Sequence, residues 1–406
     1  MPVLSLLILL VLSIVAYYMG RSQALSLAQA EQGKLHSLPG LYGWCAVIWS
    51  CVPAIVIYIG WEAAFTHTPS SVIQEWQQPS LIAVSALAGI FLSRAVIRPS
   101  FRARNHIEKW GRALLFICAT ISISITVMIV LSVLFEAIRF FHKIPLTDFL
   151  FGTVWSPQTA LRADQAGSSG AFGIIPVFVG TLLITVIAMV VAVPLGLLSA
   201  IYISEYAKPK IRATVKPVLE ILAGIPTVVY GYFAAITVAP FIRSMGLHLG
   251  LDVASESALA AGSVMGIMII PFILSLSDDV MNAVPNALRE ASYALGATKA
   301  ETIQKVVVPA ALPGIMGAVL LAISRAIGET MIVVMAAGLT ANLTFNPLSS
   351  VTTVTAQIVT LLVGDQEFDS AKTLAAFALG LTLFVVTLLL NIIALVVVRK
   401  YQEKYD

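Results

Sequence analysis

Apolar residues run through this chain in long blocks that short polar segments interrupt, and neither a two-residue alternation nor a one-faced helical stripe describes most of its length. A hydrocarbon core about 30 Å thick needs roughly 18 or more consecutive apolar residues to be crossed as a helix. Nine blocks reach that length, near 2–19, 41–60, 81–97, 113–136, 174–203, 218–241, 259–277, 313–338 and 374–398. Together they predict an all-α integral membrane protein. Two stretches depart from the pattern and invite a chemical reading. One is the polar segment Glu290-Ala-Ser-Tyr-Ala-Leu-Gly296 with its continuation ATKAETIQKVVVPAALPG, and the other is ISRAIGETM, which puts Arg325 and Glu329 inside an apolar block.

Composition agrees with a lipid solvent, at 59% hydrophobic and 11% charged residues. The basic residues are distributed unevenly between the two alternating sets of connections. Of 24 Lys and Arg, 18 fall in 20–40, 94–112, 204–217, 278–312 and the C-terminal tail, and five fall in 137–173, 242–258 and 339–373. The richer set is expected on the cytoplasmic side, together with the C-terminus and the polar segment at Glu290. Insertion orientation thus accounts for the basic loops, and the net charge of +3 gives no support to a nucleic-acid partner. No basic residue precedes the first block, which reads as an uncleaved anchor with its N-terminus outside. The basic stretch from Arg94 to Arg112 marks an expected boundary. Residues 1–112 form an N-terminal extension with about three spans, and residues 113–406 a unit with six. Cys45, Cys51 and Cys118 lie within apolar blocks without metal-type spacing, and no internal repeat or low-complexity tract stands out.

In the polar segment, Pro285 and Asn286 favour a helix start, and Leu288, Ala291 and Leu295 share one face. Gly296 permits a reversal, and a second helix is expected from Lys299 to Val308, ended by Pro309 and Pro313. Such a helix–turn–helix either covers the end of the bundle or projects to a partner, to which Ala291 and Ala294 offer close approach. The residues E-A-S-Y-A-L-G, followed after a spacer by V-V-V-P-A-A-L-P, resemble the "EAA" loop of bacterial ABC-importer permeases, whose six-helix type I core the fold is expected to share. Ser292 stands where that family usually has a second Ala. The resemblance implies a coupling loop over 281–313 that docks into a groove of an ATP-binding subunit, with Glu290, Ala291, Ser292, Gly296, Leu312 and Pro313 as its marked positions.

A chain that hydrolysed ATP itself would carry a phosphate-cradling GxxxxGK[ST] loop. None occurs: the pair Gly33-Lys34 is followed by Leu35 and lacks the upstream glycine. ATP and Mg are therefore expected on a partner chain, with no cofactor bound here. HExxH, GxSxG and His/Cys clusters are likewise missing, which removes protease and metalloenzyme readings.

An ionisable residue within a span is costly and is a functional candidate by default. Arg325 falls ~18 Å along its helix from Pro313, near the middle of the bilayer core. Arg325 and Glu329, four residues apart, either neutralise each other or serve a path, the guanidinium taking an oxyanion and the carboxylate limiting how tightly it is held. Gly328 between them allows close approach. Four further segments, GTLLITVIAMVVAVPLGLLSAIYISEYA at 180–207, LEILAGIPTVVYGYFAA at 219–235, IIPFILSLSDDVMNAVP at 269–285 and SRAIGETMIVVMAAG at 324–338, resemble the phosphate-specific (Pst-type) importer permeases, in particular their C subunit. GKLHSLPGLYGWCAVIW at 33–49 resembles the longer form of that subunit. The resemblance implies that Arg325 and Glu329 serve phosphate passage. It also implies a second homologous permease subunit, an ATP-binding subunit dimer and a periplasmic phosphate-binding protein as partners, in a bacterial cytoplasmic membrane.

Around Pro226, Gly224, Thr227 and Tyr230 are candidates to line the same path with neutral hydrogen bonds, although Pro194 and Pro226 read first as packing kinks. Asp278 and Asp279 read as solvated end-caps or a contact with the coupling region. Gly262 and Gly266 form a GxxxG packing signal, and Glu136 with Arg139 reads as an interfacial pair. The connections 137–173, with Trp155 and a GSSGAFG end, and 339–373 are long enough to touch a soluble partner. A permease for another oxyanion or small solute stays open, as does an ATP-independent channel or ion-coupled carrier.

Overall fold

The computed structural model describes residues 2–30, 36–65, 72–98, 101–159, 169–363 and 369–401. Gly33-Lys34, the Gly167-Ser168 start of the GSSGAFG segment and the basic Lys404 of the tail lie outside these residues. Among them, nine helices are long and apolar enough to span a membrane, matching the nine blocks in number and order. Contacts divide the chain into two units, Met1–Val127 and Met128–Asp406.

The first unit holds α1 (Pro2–Ala30), α2 (Pro39–Phe65), α3 (Val72–Val96) and the first part of α4 (Ala103–Lys143). Three helices pack here because small residues let their backbones approach. An added Cβ at Gly89 of α3 would lie 2.1 Å from the Trp49 carbonyl of α2, and one at Gly43 2.8 Å from Tyr17 of α1. The buried Tyr42 hydroxyl donates to the Phe101 carbonyl at 2.9 Å.

The second unit continues α4 and then runs through α5 (Leu146–Phe151), β1 (Trp155–Thr159), β2 (Ser169–Phe172) and α6 (Ile175–Ile201). Next come α7 (Pro209–Ala223), α8 (Thr227–Phe233), α9 (Ala239–His248), α10 (Ala258–Ala283), α11 (Asn286–Ala294), α12 (Lys299–Thr302) and α13 (Val308–Ile327). The chain closes with α14 (Met331–Ala336), α15 (Val354–Leu362) and α16 (Ala371–Tyr401). The most extensive packing joins α6 and α10, and the Gly262/Gly266 pair lies in it. A Cβ on Gly266 would be 2.8 Å from the Ala188 carbonyl, and one on Gly262 2.7 Å from Ile187. Met265, Ile269 and Ile273 of α10 fill the core with Ile184, Ala188 and Ala192 of α6.

Two apolar blocks prove to be composite. The run at 218–241 is not one span: α7 ends at Gly224, and Pro226 precedes a new helix instead of kinking a continuous one. Proline fixes the extended residue at the entry to a helix as readily as it bends the middle of one, and apolarity alone does not separate the cases. Pro194 does lie inside α6. The run at 313–338 breaks at Gly328, while the helix expected from Lys299 to Val308 starts at Lys299 but runs on into this span. Pro309 does not end that helix. A π-helical segment at Ile303–Val307 widens the turn before it, and Pro240 likewise follows one at Ala234–Val238. The wider turn accommodates the carbonyl four residues upstream that proline leaves without a donor.

The connection 137–173 is more structured than a plain loop. The strands β1 and β2 pair antiparallel, Trp155 opposite Phe172, and Trp155 is buried in a cluster with Phe140, Phe149 and Phe172 instead of facing outward. Its indole N–H donates to the Gln357 side chain at 2.9 Å, and the Gln357 amide in turn donates to the Leu339 carbonyl. The pair of Glu136 and Arg139 is present at 2.7 Å, and Arg139 also bonds Asp369.

Candidate functional site

The α13 helix ends because Gly328 closes it, with its N–H on the Ser324 carbonyl. Arg325 therefore sits in the last turn of a helix that stops at Gly328, where a cation meets the negative end of the helix dipole. Arg325 and Glu329 do not neutralise each other: the helix ends between them, and no ion pair involves either residue among the described residues. The Glu329 carboxylate instead accepts from the Met331 N–H at 3.1 Å at the start of α14, while its carbonyl accepts from the Thr355 hydroxyl at 2.7 Å. A Cβ at Gly328 would meet only the carbonyls of its own helix, at 3.6 and 3.7 Å.

The Arg325 guanidinium lies over the Phe272 ring, 5.7 Å from its centroid, and borders a cavity of about 250 Å³. Lys216, Glu220 and Ala223 of α7, with Met268, Phe272 and Ser275 of α10, form much of the remaining wall. A water molecule occupies about 30 Å³ of liquid, so this volume suits a small hydrated solute. Thr227 and Tyr230 are not among the residues bordering the cavity. The Tyr230 hydroxyl donates to the Leu222 carbonyl at 3.0 Å, bracing the reversal between α7 and α8.

Behind the cavity wall lies an ion network. Asp278 of α10 is fully buried, contrary to a solvated end-cap, and accepts from Arg212 at 3.0 and 3.1 Å, Lys216 at 3.1 Å and the Asn282 amide at 2.9 Å. Exposed Asp279 takes a second bond from Lys216 at 3.1 Å. Both carboxylates, Asp279 first, raise the Lys216 pKa above the usual lysine value by hydrogen bonding to its charged form. Arg212 and Lys216 were not singled out from the sequence because they fall among the basic residues of the 204–217 connection, which insertion orientation already explains. The available signal was the i, i+4 spacing of Lys216 and Glu220 on an amphipathic stretch.

The expected coupling loop 281–313 narrows to the chain between α10 and α12. Pro285 precedes α11, and Gly296 adopts φ +84°, the left-handed region that glycine occupies at little cost. Thr298 and Glu301 then form a reciprocal capping box at the start of α12. Glu290, Ala291 and Gly296 are exposed, whereas Ser292 turns inward to the Thr302 hydroxyl at 2.8 Å. The face expected to unite Leu288, Ala291 and Leu295 is split. Leu288 packs against the Met281, Val284 and Val307 cluster, while Leu295 is 89% exposed. Leu312 and Pro313 lie within α13 and not in the turn. Arg289 anchors the element, donating to Glu205 at 2.6 Å and to the Met281 carbonyl at 2.8 Å.

Known proteins share these features. Residues 192–403 match the family described as binding-protein-dependent transport system inner membrane component, and residues 6–87 match one described as phosphate ATP-binding cassette transporter. The probable ABC transporter permease protein YqgH of Bacillus subtilis is 35% identical over 287 residues, covering 70% of this chain and 88% of its own. The phosphate transport system permease protein PstC of Mesorhizobium japonicum is 34% identical, covering 61% and 76%. Among solved structures, a chain of a bacterial alginate ABC transporter, crystallised with an alginate pentasaccharide-bound periplasmic protein, superposes with a TM-score of 0.51 at 16% identity. It covers 74% of this chain and 98% of its own, a likeness of fold alone. With more than half of its length matched by the family model and nine helices able to span a membrane among the described residues, the chain belongs to the binding-protein-dependent transport system inner membrane components, the multi-pass permease subunits of ABC importers.

Proposed function

We propose that this permease carries inorganic phosphate inward across a bacterial cytoplasmic membrane, with Arg325 presented to the anion. The observation that carries the reading is a guanidinium at a helix end, held by Phe272, bordering a cavity of solute size and without a carboxylate partner among the described residues. A planar fork with several donors suits the oxygens of a tetrahedral oxyanion. The phosphate transport named for PstC relatives and for the family matched at residues 6–87 supports the same cargo.

In this reading the chain performs no chemistry. A separate ATP-binding dimer uses ATP and Mg, and closes against the exposed turn around Glu290, Ala291, Leu295 and Gly296. A second, homologous permease chain completes the path, and a periplasmic phosphate-binding protein delivers the anion to the opposite side. Ser292, Leu312 and Pro313 support the turn from behind, and Glu329, Gly328, Thr227 and Tyr230 shape the route near Arg325. The C-terminus is cytoplasmic, in keeping with the basic residues of the same loop set.

Uptake of labelled phosphate by the reconstituted complex, with sulfate and molybdate as competitors, tests the cargo. Arg325→Gln is expected to abolish most phosphate uptake in a complex that still assembles. Unchanged uptake removes Arg325 from the path, and stronger inhibition by sulfate or molybdate than by unlabelled phosphate replaces the cargo.

A further inference from the structure

The charges bordering the Arg325 cavity do not by themselves favour an anion. Arg325 contributes one positive charge and Glu220 one negative charge, so the sign of the site depends on Lys216. Lys216 borders the cavity from α7 while its ammonium bonds Asp278 and Asp279, at 3.1 Å each. Its two carboxylate partners are unequal. Asp278 is completely buried and keeps Arg212 and Asn282 whether or not Lys216 stays. The Asp279 side chain is 61% exposed, so water can solvate it when Lys216 leaves.

We infer that Lys216 is a second cationic contact for the transported oxyanion and takes the anion in exchange for Asp279, keeping its bond to Asp278. The inference rests on the oxyanion reading above and deepens it. Arg325 supplies a fork and Lys216 a compact charge with rotatable donors, so the anion is held between α13 and α7. A lysine suits the exchange, because an ammonium can turn one of its three donors from Asp279 to the anion while another stays on Asp278. The exchange also has a mechanical consequence. Asp279 lies five residues before Val284, where α10 ends and the chain enters the coupling turn. Releasing Asp279 loosens α7 from the end of α10 beside the element that receives the ATP-binding subunits.

The test is the affinity of the purified complex, without binding protein, for labelled inorganic phosphate. Lys216→Gln should weaken binding about ten-fold, the loss of one charge-assisted contact, and Lys216→Arg should recover most of it. Asp279→Asn removes the competing carboxylate and should tighten binding. A purely structural ion pair predicts otherwise, since Lys216→Gln and Asp279→Asn then lower the melting temperature together and leave affinity unmoved. Equal or same-direction effects of the two substitutions on affinity overturn the inference. Repeating the series with sulfate and molybdate separates the two readings. Opposite signs for one of these anions with no phosphate binding remove phosphate and retain Lys216, and no binding of any of the three removes both.

Discussion

The Arg289 guanidinium lies 2.6 Å from the Glu205 carboxylate, and the two side chains are only 15% and 7% exposed. Glu205 stands in the π-helical segment Tyr202–Tyr206 that follows α6, and Arg289 is in the middle of α11. The α11 turn is therefore fastened by a charged pair to the end of the helix that packs most extensively on α10. If the ATP-binding subunits dock on α11 as proposed, this pair is a route besides the chain itself by which its displacement would reach α6.

Arg289→Ala should destabilise the assembled complex by about 3–5 kcal/mol, because it leaves the Glu205 carboxylate buried without its cation. Removing both charges, as Arg289→Gln with Glu205→Gln, should cost less than the sum of the single substitutions. Melting temperatures of the four complexes in detergent give the cycle. Additive losses would mean that the pair carries no coupling and that α11 is held by its other contacts, Leu288 packing and the Ser292–Thr302 hydrogen bond among them.

Leu295 is the most exposed large apolar residue among those described, at 89%, and it sits at the tip of the turn beside the left-handed Gly296. On the proposed function, Leu295 lies where an ATP-binding subunit would dock. Leu295→Glu should leave the permease folded, since the side chain has nothing to unpack, yet reduce recovery of the ATP-binding subunits on co-purification and abolish transport-coupled ATPase activity. Full recovery of the subunits would place the docking contact elsewhere on the loop.

The polar and apolar sequence pattern was enough to count and order the spans, because crossing lipid demands uninterrupted apolar runs and little else. The helix–turn–helix of the EAA-like segment was equally legible, as Pro285 and Gly296 each impose a local backbone geometry that survives in the fold. Break points inside apolar runs were not. Gly224–Pro226 and Gly328 divide helices without changing hydropathy, so Arg325 read as mid-span when it stands at a helix end. The partners of Arg325 were also hidden. Phe272 is one aromatic residue within an apolar block, and Lys216, more than a hundred residues from Arg325, meets the cavity only through tertiary packing.

Phe272 lies against the Arg325 guanidinium and is expected to help orient it. The ring centroid lies 5.7 Å from the guanidinium carbon, inside the range in which the negative face of an aromatic ring attracts a cation. Such a contact is worth ~0.5–2 kcal/mol, more as water is excluded. Phe272→Leu keeps an apolar side chain of similar bulk on half-buried α10 but supplies no π-face, so the guanidinium loses its support and ranges over more conformations. The expected result is a several-fold loss of phosphate affinity with little change in melting temperature. Phe272→Trp offers a stronger face and should retain affinity if the larger ring fits the cavity wall. Binding of labelled phosphate to the two variants distinguishes orientation from packing. Equal affinity in Phe272→Leu and wild type would show that Arg325 is aimed by its helix terminus and Gly328 alone, and the aromatic residue would then serve only to close the wall.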